Sequence, residues 1–429
     1  MPDELPDPAT VSRRSFLARA GRGLVAATLA GEILPSVAGA HADEKPDPLK
    51  LPVIHAKTEQ QDGPTPELLP PDQRVGFAVV GLGHLALDQI LPTFGESKKA
   101  RLAALVSGDR NKALAVAKQH GLAEKNIYSY ETYDQLKDNP DVQIIYIVLP
   151  NGMHAEYTVR GAQAGKHILC EKPMANSVAE CEQMIAACKQ ADRHLMIAYR
   201  IQYEPHHRLL QKWVREKKYG SVRVIEGVNG QNQGDPKQWR QNKKLAGGGA
   251  LPDVGLYCLN TFRFLLGEEP EEVFAMSRQP TDDPRFKEVE DTMIFQLRFP
   301  GGALCNAMTS YSTHRTQRYR VNAEDGWFGM DPAFPYKGLE MEAAHAEGKV
   351  EYKEHPKLSP QDQFALELDH MAGCVLDNKK PYTPGEEGLQ DQRIMEALYE
   401  SAATGKPVKL SVPPMGKLDA FRGDAPKDA

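Results

Sequence analysis

Three side chains of this sequence have the types and the spacing that proton transfer to or from a hydroxyl group requires. Lys172 stands between Glu171 and Pro173, and Asp253 precedes Tyr257 by four residues. A spacing of four places two side chains on one face of a helix. A phenol has a pKa of about 10, so Tyr257 needs a cationic neighbour such as Lys172 to act as a base. The catalytic candidates are these three, and the alternative is a solvated turn lysine with a core tyrosine.

A glycine-rich turn follows the first predicted strand. Residues 75–80 form a continuous apolar run, as a buried parallel strand does. The next six residues have the pattern G-x-G-x-x-A, which lets the backbone approach a pyrophosphate and directs helix amides at it. A helix to about Phe94 and a second strand over 102–107 supply the context that this weak pattern needs. We predict a dinucleotide site at Gly81, Leu82 and Gly83.

The end of the second strand indicates which dinucleotide binds. An NAD enzyme usually has a carboxylate here for the ribose hydroxyls, whereas this strand ends in Ser107 and Gly108, followed by Asp109, Arg110 and Lys112. A hydroxyl and nearby cations suit the 2′-phosphate of NADP. Asp109 is compatible with NAD, and the cations could instead form a solvated first helical turn. We predict NADP, bound by Ser107, Gly108 and Lys112.

Further strands at 143–149, 167–170 and 195–198 extend a doubly wound parallel sheet, whose ligands bind beyond the carboxyl ends of the strands. Residues at those ends and at the junction with the second half of the chain are therefore further candidates. The candidate cofactor contacts are Pro150, Asn151, Glu171, Lys172, Arg200, Trp239 and Arg240. The candidate substrate contacts are Lys172, Tyr199, Tyr203, Asp253 and Tyr257.

The second half of the chain reads as strands followed by helices. Apolar and polar residues alternate in the predicted strands, which indicates an open, mainly antiparallel sheet with one buried face. The strands are predicted at 222–228, 272–277, 292–299, 303–310 and 318–322, and the helices at 361–377 and 388–404. We predict an α/β protein with a Rossmann domain over 74–200, an α+β domain over 201–410 and a tail over 411–429. The open sheet offers a surface for a homodimer or homotetramer.

Residues 1–40 have the order of an export signal. Twin arginines at 13–14 precede an apolar run over 23–34 that contains Glu32, and small residues follow at 38–40. The run is shorter than the roughly 20 residues of a membrane span, so cleavage is favoured over a membrane anchor. The segment resembles a twin-arginine signal, which would carry the folded protein to the periplasm.

Residues 41–73 are rich in proline. Prolines among polar residues disfavour a helix and predict an extended arm. Such an arm is either a solvated linker or a strap across a neighbouring subunit.

The composition of the chain limits the kinds of partner that we expect it to bind. The 429 residues carry a net charge of −6, and the lysines and arginines are spread along the chain, so nucleic acid is not expected as a partner. The six cysteines have neither CxxC nor metal-ligand spacing, so we expect buried apolar side chains and no metal, with a disulfide or metal site as the alternative.

The glycine turn, Pro150-Asn151 and Glu171-Lys172-Pro173 together resemble the Gfo/Idh/MocA oxidoreductase family, over about residues 75–408. The resemblance implies a Rossmann fold, a nicotinamide cofactor and a catalytic role for Lys172. Most relatives have a histidine at the position of Tyr257. This departure is similar to a branch of the family that passes hydride from one sugar to another, and segments of that branch are also matched at 106–108, 246–249, 265–270 and 384–388.

These features imply an exported sugar oxidoreductase with tightly bound NADP. An aldose would bind with its C1 hydroxyl at Tyr257 and Lys172, Asp253 would orient ring hydroxyls, and an aldonolactone would form. A ketose or second aldose would then take the hydride to give an alditol. Three other functions stay open: a conventional NAD(P)-dependent aldose dehydrogenase, an NAD-dependent glycosidase and a non-catalytic NADP-binding sensor. The glycosidase branch has a Gly-Gly-His-Gly-Gly loop that residues 246–250 lack.

Overall fold

The computed structural model describes residue 70, residues 73–411 and residues 418–426. The predicted export signal at 1–40, nearly all of the predicted arm at 41–73 and part of the tail lie outside the described residues. Within the described part, no helix combines the length and the apolar character that crossing a membrane requires.

The first sheet contains six parallel strands in the order β3-β2-β1-β4-β5-β6. Every residue of β1 and β4 is buried, because helices cover both faces of the sheet. The predicted doubly wound sheet is confirmed. Its strands are β1 Val75–Val80, β2 Ala100–Val106, β3 Ile127–Tyr128, β4 Ile144–Ile147, β5 His167–Glu171 and β6 Leu195–Ala198.

The helices of this half follow the strands in alternation. The glycine turn leads into a π-helical turn, Ala86–Ile90, before the first short α-helix. Asp109 begins the second helix by accepting a hydrogen bond from the Lys112 amide, which is the usual role of an aspartate at that position. The helices are α1 Leu91–Thr93, α2 Arg110–Gln119, α3 His154–Gln163 and α4 Val178–Gln190.

The second sheet has nine strands in the order β14-β13-β12-β11-β7-β10-β9-β8-β15. Among the described residues, β7 and β10 are the only parallel pair of this sheet, so the predicted open, mainly antiparallel sheet is confirmed. One face of this sheet is buried, and the other face is exposed at Met276, Ile294 and Leu304. The strands are β7 Val222–Asn232, β8 Glu272–Arg278, β9 Thr292–Arg298, β10 Leu304–Ser310, β11 Ser312–Ala323, β12 Gly326–Met330, β13 Met341–Glu347, β14 Val350–Glu354 and β15 Val408–Lys409.

Helices α8 and α9, from the second half of the chain, pack against the first sheet. The helices of this half are α5 Pro205–Arg215, α6 Lys243–Ala246, α7 Leu256–Leu266, α8 Gln363–Asp377 and α9 Gly385–Thr404. At the start of α8, Asp362 accepts a hydrogen bond from Thr93 Oγ1 at 2.9 Å, and within α8 Asp369 accepts one from Ser97 Oγ at 2.5 Å. These bonds fix α8 to the end of α1 and to the segment that joins α1 to β2.

Buried charges beside α7 and α9 pair with one another. Arg263 is fully buried and forms ion pairs with Glu269 and Asp391. Arg422, in the C-terminal segment, pairs with the buried Glu387. Burial raises the pKa of Asp391 to about 6. Removing either partner of such a pair leaves an uncompensated buried charge, so the network stabilises this arrangement of helices against alternatives.

All six cysteines are free and buried, as the sequence predicted. Burial raises the pKa of Cys181 and of Cys188 to about 12, which is typical of inert core thiols. Among the described residues, no group of three or more His, Cys, Asp or Glu side chains could hold a metal ion.

Candidate active site

Lys172 follows the carboxyl end of β5 and reaches across to the second half of the chain. Its Nζ donates hydrogen bonds to the backbone oxygen of Asp253 at 2.9 Å and to Asp253 Oδ1 at 3.2 Å. Burial works to lower the pKa of Lys172, but the nearby Tyr257, Asp253 and Glu171 outweigh it and raise that pKa above its usual value. The ammonium group therefore stays charged across the neutral pH range.

Asp253 lies in a π-helical turn, Leu251–Gly255, that immediately precedes α7. Its second oxygen, Oδ2, accepts hydrogen bonds from Arg240 Nε at 2.9 Å and from the Tyr311 hydroxyl at 2.7 Å. Burial works to raise the pKa of Asp253, but the charges of Arg240 and Lys172 and the hydrogen bond from Tyr311 hold it well below its usual range. A permanently ionised carboxylate thus holds Lys172 and Arg240 in place.

Tyr257 lies one turn further along, in α7. The Nζ of Lys172 is 4.6 Å from the centroid of its ring, and Arg200 Nη2 donates a hydrogen bond to its hydroxyl at 3.0 Å. The predicted grouping of Lys172, Asp253 and Tyr257 is therefore present. The α-helical spacing assumed for Asp253 and Tyr257 is replaced by a π turn, which is wider and is common at functional sites.

Two buried acids lie beside this cluster. Glu171 accepts a hydrogen bond from the Tyr146 hydroxyl at 2.7 Å. Glu367, on α8, is fully buried, and neither carboxyl oxygen has a hydrogen-bond partner of the usual geometry. Burial raises the pKa of Glu171 and, more strongly, that of Glu367. Glu171 was predicted to contact the cofactor, and the structure instead places its carboxyl in the core against Tyr146.

The glycine turn has the geometry that a pyrophosphate needs. Gly81 has a φ of +95°, and a Cβ there would lie 2.4 Å from the Val148 oxygen, so only glycine fits. A Cβ at Gly83 would meet no atom within 4 Å, which leaves open space beside the turn. Leu82 is buried and anchors the turn to the core. The turn therefore fits a dinucleotide.

The residues predicted to select NADP lie at the end of β2. Ser107 is buried, and its hydroxyl accepts a hydrogen bond from the Asp109 amide at 3.1 Å. Gly108 has no room for a larger residue without displacing Tyr130, since a Cβ there would lie 3.0 Å from that ring. Lys112 is half-buried in the first turn of α2, whereas Arg110 pairs with Glu124.

Pro150 and Asn151 follow the carboxyl end of β4, and Asn151 links this edge of the first sheet to the last residue of α6. Asn151 Nδ2 donates to the backbone oxygen of Ala246 at 2.8 Å. Trp239 is half-buried, and its ring is 4.5 Å from the guanidinium carbon of Arg240. Arg240 itself binds Asp253, so the residue predicted as a cofactor contact belongs to the Lys172 cluster.

The structure does not place the Tyr203 side chain in this cluster. Tyr203 is fully buried, and its hydroxyl is 2.9 Å from Thr383 Oγ1, so its predicted contact with substrate is corrected to a core role. Tyr199 borders the same small cavity as Lys172 and Tyr257, but its hydroxyl donates to Asp391 Oδ2 at 2.6 Å. The Tyr199 hydroxyl is thus bound within the core, and the sugar contact at Tyr199 stays a prediction.

Several site residues were missed in the sequence. They come from segments distant along the chain, and no local pattern distinguishes them: Tyr311, Tyr336, Gln363 and Glu367. Tyr311 follows β10 directly, and only the sheet topology brings it to Asp253.

A six-stranded parallel sheet with a glycine turn where the strand order reverses, together with charged and phenolic side chains at its carboxyl edge, defines an NAD(P)-binding oxidoreductase. The family comparison agrees and is more specific. A model of the oxidoreductase family's NAD-binding Rossmann fold matches residues 75–199, and one of the GFO/IDH/MocA C-terminal domain matches residues 207–329. The chain belongs to the GFO/IDH/MocA oxidoreductase family.

Three proteins with similar sequences are named as sugar oxidoreductases. The crystal structure of aldose-aldose oxidoreductase from Caulobacter crescentus is 47% identical with a TM-score of 0.76, over 79% of this chain and 100% of that one. The NADP(+) D-xylose 1-dehydrogenase of Haloarcula marismortui is 32% identical over 79% of this chain and 94% of that protein. The D-xylose 1-dehydrogenase (NADP(+)) 2 of Haloferax volcanii is 30% identical over 78% of this chain and 99% of that protein. This chain is a sugar oxidoreductase of that family.

Proposed function

We propose that the protein is a periplasmic oxidoreductase of the glucose-fructose or aldose-aldose type, with tightly bound NADP. An aldose loses hydride from C1 and a proton from its C1 hydroxyl, which gives an aldonolactone. A ketose or second aldose then takes the hydride at its carbonyl carbon and a proton at its oxygen, which gives an alditol. The observation that carries this proposal is the Lys172, Asp253 and Tyr257 cluster, together with 47% identity to an aldose-aldose oxidoreductase.

Bound NADP supplies the hydride acceptor for this reaction. The chain's own residues move the proton and place the sugar. Tyr257 takes the proton of the C1 hydroxyl, and two cations contact it: Lys172 lies over its ring, and Arg200 donates a hydrogen bond to its oxygen. In the second half-reaction Tyr257 returns the proton to the carbonyl oxygen of the acceptor.

Lys172 and Asp253 have different tasks. Two of the three donor positions of the Lys172 ammonium are directed at Asp253, so one is left for a sugar hydroxyl. Asp253 accepts hydrogen bonds from Lys172, Arg240 and Tyr311. Its main task is to fix these donors, and contact with ring hydroxyls, the role expected from sequence, is secondary to that.

Export supports internal recycling of the cofactor. A protein moved to the periplasm by the signal predicted at 1–40 has no access to the cytoplasmic pool of dinucleotide. The cofactor must then stay bound, and the two sugars must use the same pocket in turn by a ping-pong mechanism. The arm at 41–73 would cover the adenosine end of the cofactor, from its own subunit or from a neighbour.

The test uses the full chain as purified. We expect about one NADP per chain, since the chain has a single glycine turn of this type. An aldose added alone should raise the absorbance of the reduced dinucleotide once, without turnover, and a ketose or second aldose should discharge it. Purification without dinucleotide, with turnover that needs added NADP or NAD, would overturn the proposal.

That outcome would favour a conventional NAD(P)-dependent aldose dehydrogenase. The two D-xylose 1-dehydrogenase relatives support this second candidate, because their names give one sugar, D-xylose, together with NADP(+) and no second sugar. A glycosidase or a non-catalytic sensor would show neither the single reduction nor the discharge. A homodimer or homotetramer is proposed from the exposed apolar residues on the open face of the second sheet.

A further inference from the structure

Arg200 contacts Tyr257 from within the protein. Its side chain is almost fully buried, and Nη2 donates to the Tyr257 hydroxyl at 3.0 Å and to the Phe334 backbone oxygen at 2.7 Å. Nη1 donates to Gln363 Oε1 at 2.5 Å. The guanidinium carbon also lies 4.9 Å from the centroid of the Tyr257 ring and 4.6 Å from that of Tyr336. Partners from three separate segments therefore fix the guanidinium group.

This arrangement separates the tasks of two cations. Lys172 contacts Tyr257 over the face of its ring, while its hydrogen bonds go to Asp253. Among the described residues, the hydrogen-bond donor to the Tyr257 hydroxyl is Arg200. A charge-assisted hydrogen bond acts directly on the oxygen that gains or loses the proton, whereas a cation over a ring acts on it less directly.

The other charged and titratable groups around this pair come from each neighbouring element. They are Glu171 at the end of β5, Lys172 directly after it, Glu367 on α8, Tyr336 between β12 and β13, and Asp253 and Arg240 around Lys172. Burial raises the pKa of both glutamates, which reduces the negative charge near Tyr257. Arginine keeps its charge at every pH of interest.

We propose that Arg200 is a positioning residue, which orients the phenolic oxygen of Tyr257 and stabilises its ionised form. The inference rests on the proposed function, in which Tyr257 takes the proton of the sugar. It replaces the cofactor contact that the sequence suggested for Arg200. Losing one charge-assisted hydrogen bond should move the ionisation of Tyr257 upward by about one to two pH units.

The decisive measurement does not depend on turnover. The holoenzyme is prepared with ring-labelled tyrosine for NMR. The resonance that Tyr257→Phe lacks is assigned to Tyr257. It is then followed as pH is raised in the wild type, in Arg200→Lys and in Arg200→Met. We expect ionisation at the lowest pH in the wild type and at the highest in Arg200→Met. The lysine variant should be intermediate, because it keeps the charge but cannot bind all three partners. Equal midpoints in the wild type and Arg200→Met would overturn the proposal.

Arg160 offers a matched control. Its guanidinium carbon lies 4.9 Å and 5.0 Å from the ring centroids of Tyr133 and Tyr157, so it is also packed between two tyrosines, but it has no contact with Tyr257. Arg160→Met should leave the Tyr257 midpoint unchanged. A shift of similar size in Arg160→Met would show a general effect of losing a packed arginine and would overturn the assignment to Arg200.

Rates and cofactor content supply the second readout. In Arg200→Met, the rate of the single reduction by an aldose should fall by about 10- to 100-fold near neutral pH and recover as pH rises by the same one to two units. The dinucleotide should remain bound, and the aldose concentration for half-maximal rate should change little. Loss of the dinucleotide would restore the cofactor-contact role. A shifted midpoint in a protein that oxidises no sugar would instead contradict the proposed function.

Discussion

The ammonium of Lys172 lies over the ring face of Tyr257, 4.6 Å from its centroid, while both of its hydrogen bonds go to Asp253. A single cation thereby links the carboxylate of a π turn to the phenol of the following helix. The catalytic group expected from sequence is thus a linked set, in which the loss of one member changes the others.

Tyr257→Phe should slow sugar oxidation by a factor on the order of 10² to 10⁴, the usual contribution of general acid–base catalysis. The fold and the bound dinucleotide should be retained, because the ring still packs against Phe334. The rate of reduction after mixing with an aldose measures this effect. Tyr203→Phe is the control: it removes a core hydroxyl bonded to Thr383 and should cost about 0.5 to 1.5 kcal/mol of stability without a comparable loss of rate.

Lys172→Met should also impair the reaction severely, with the loss in the maximal rate. The variant leaves Asp253 with Arg240 and Tyr311 and removes the remaining donor for the sugar. Steady-state rates with varied aldose separate the two effects. If only the half-saturating concentration rises and the maximal rate is kept, Lys172 binds the sugar and has no part in the chemistry.

The double substitution Ser107→Ala and Lys112→Ala should weaken retention of NADP much more than that of NAD. Each lost charge-assisted contact to the 2′-phosphate is worth about 1.5 to 3 kcal/mol. The measurement is the rate at which each dinucleotide dissociates from the folded protein. Arg110→Ala is the matched control, since Arg110 lies in the same helical turn but pairs with Glu124. Equal weakening for both dinucleotides would point to NAD as the native cofactor or to a folding defect.

Glu367 should make the wild type less stable as pH rises. Burial raises its pKa well above 4.5, so the group is neutral in the folded protein and ionised in the unfolded chain above that value. Its favourable contribution is complete below pH 4.5 and is lost as pH rises toward the raised folded pKa. Glu367→Gln should remove this dependence, whereas the exposed Glu351→Gln should keep it. Urea unfolding at about pH 5 and about pH 8 measures the difference; parallel curves for the wild type and Glu367→Gln would contradict it.

Local patterns predicted the fold and much of the site because their signals lie close together along the chain. The strand at 195–198 was predicted with the observed bounds, and β1 with its glycine turn was located from an apolar run and a motif. Strands β12 to β14 were missed. In β12, Gly326–Met330, two of the five residues are glycine, and β14, Val350–Glu354, has three charged residues and no buried one, so neither strand gives the longer apolar or alternating run used for the others.

The site was predicted less completely, for a different reason. Tyr199, Arg200 and Tyr203 follow β6 in sequence and were grouped as possible ligand contacts, yet their polar ends point to different partners: Asp391, Tyr257 and Thr383. The direction of a side chain that follows a strand depends on the elements packed against the end of that strand, which here are α7, α8 and α9. That information belongs to the tertiary arrangement and is absent from any short window of sequence.

The attachment of α8 to the first sheet bears on how this family can evolve and be engineered. Asp362 and Asp369 bind residues 93 and 97, and Gln363 holds Arg200 beside Tyr257. A chimaera that exchanged residues 75–199 between homologues at the apparent domain boundary would separate both aspartates from residues 93 and 97, even though each half would keep its own sheet. Recombination should therefore preserve these contacts best when Arg200 and residues 362–369 are inherited together with the nucleotide-binding half.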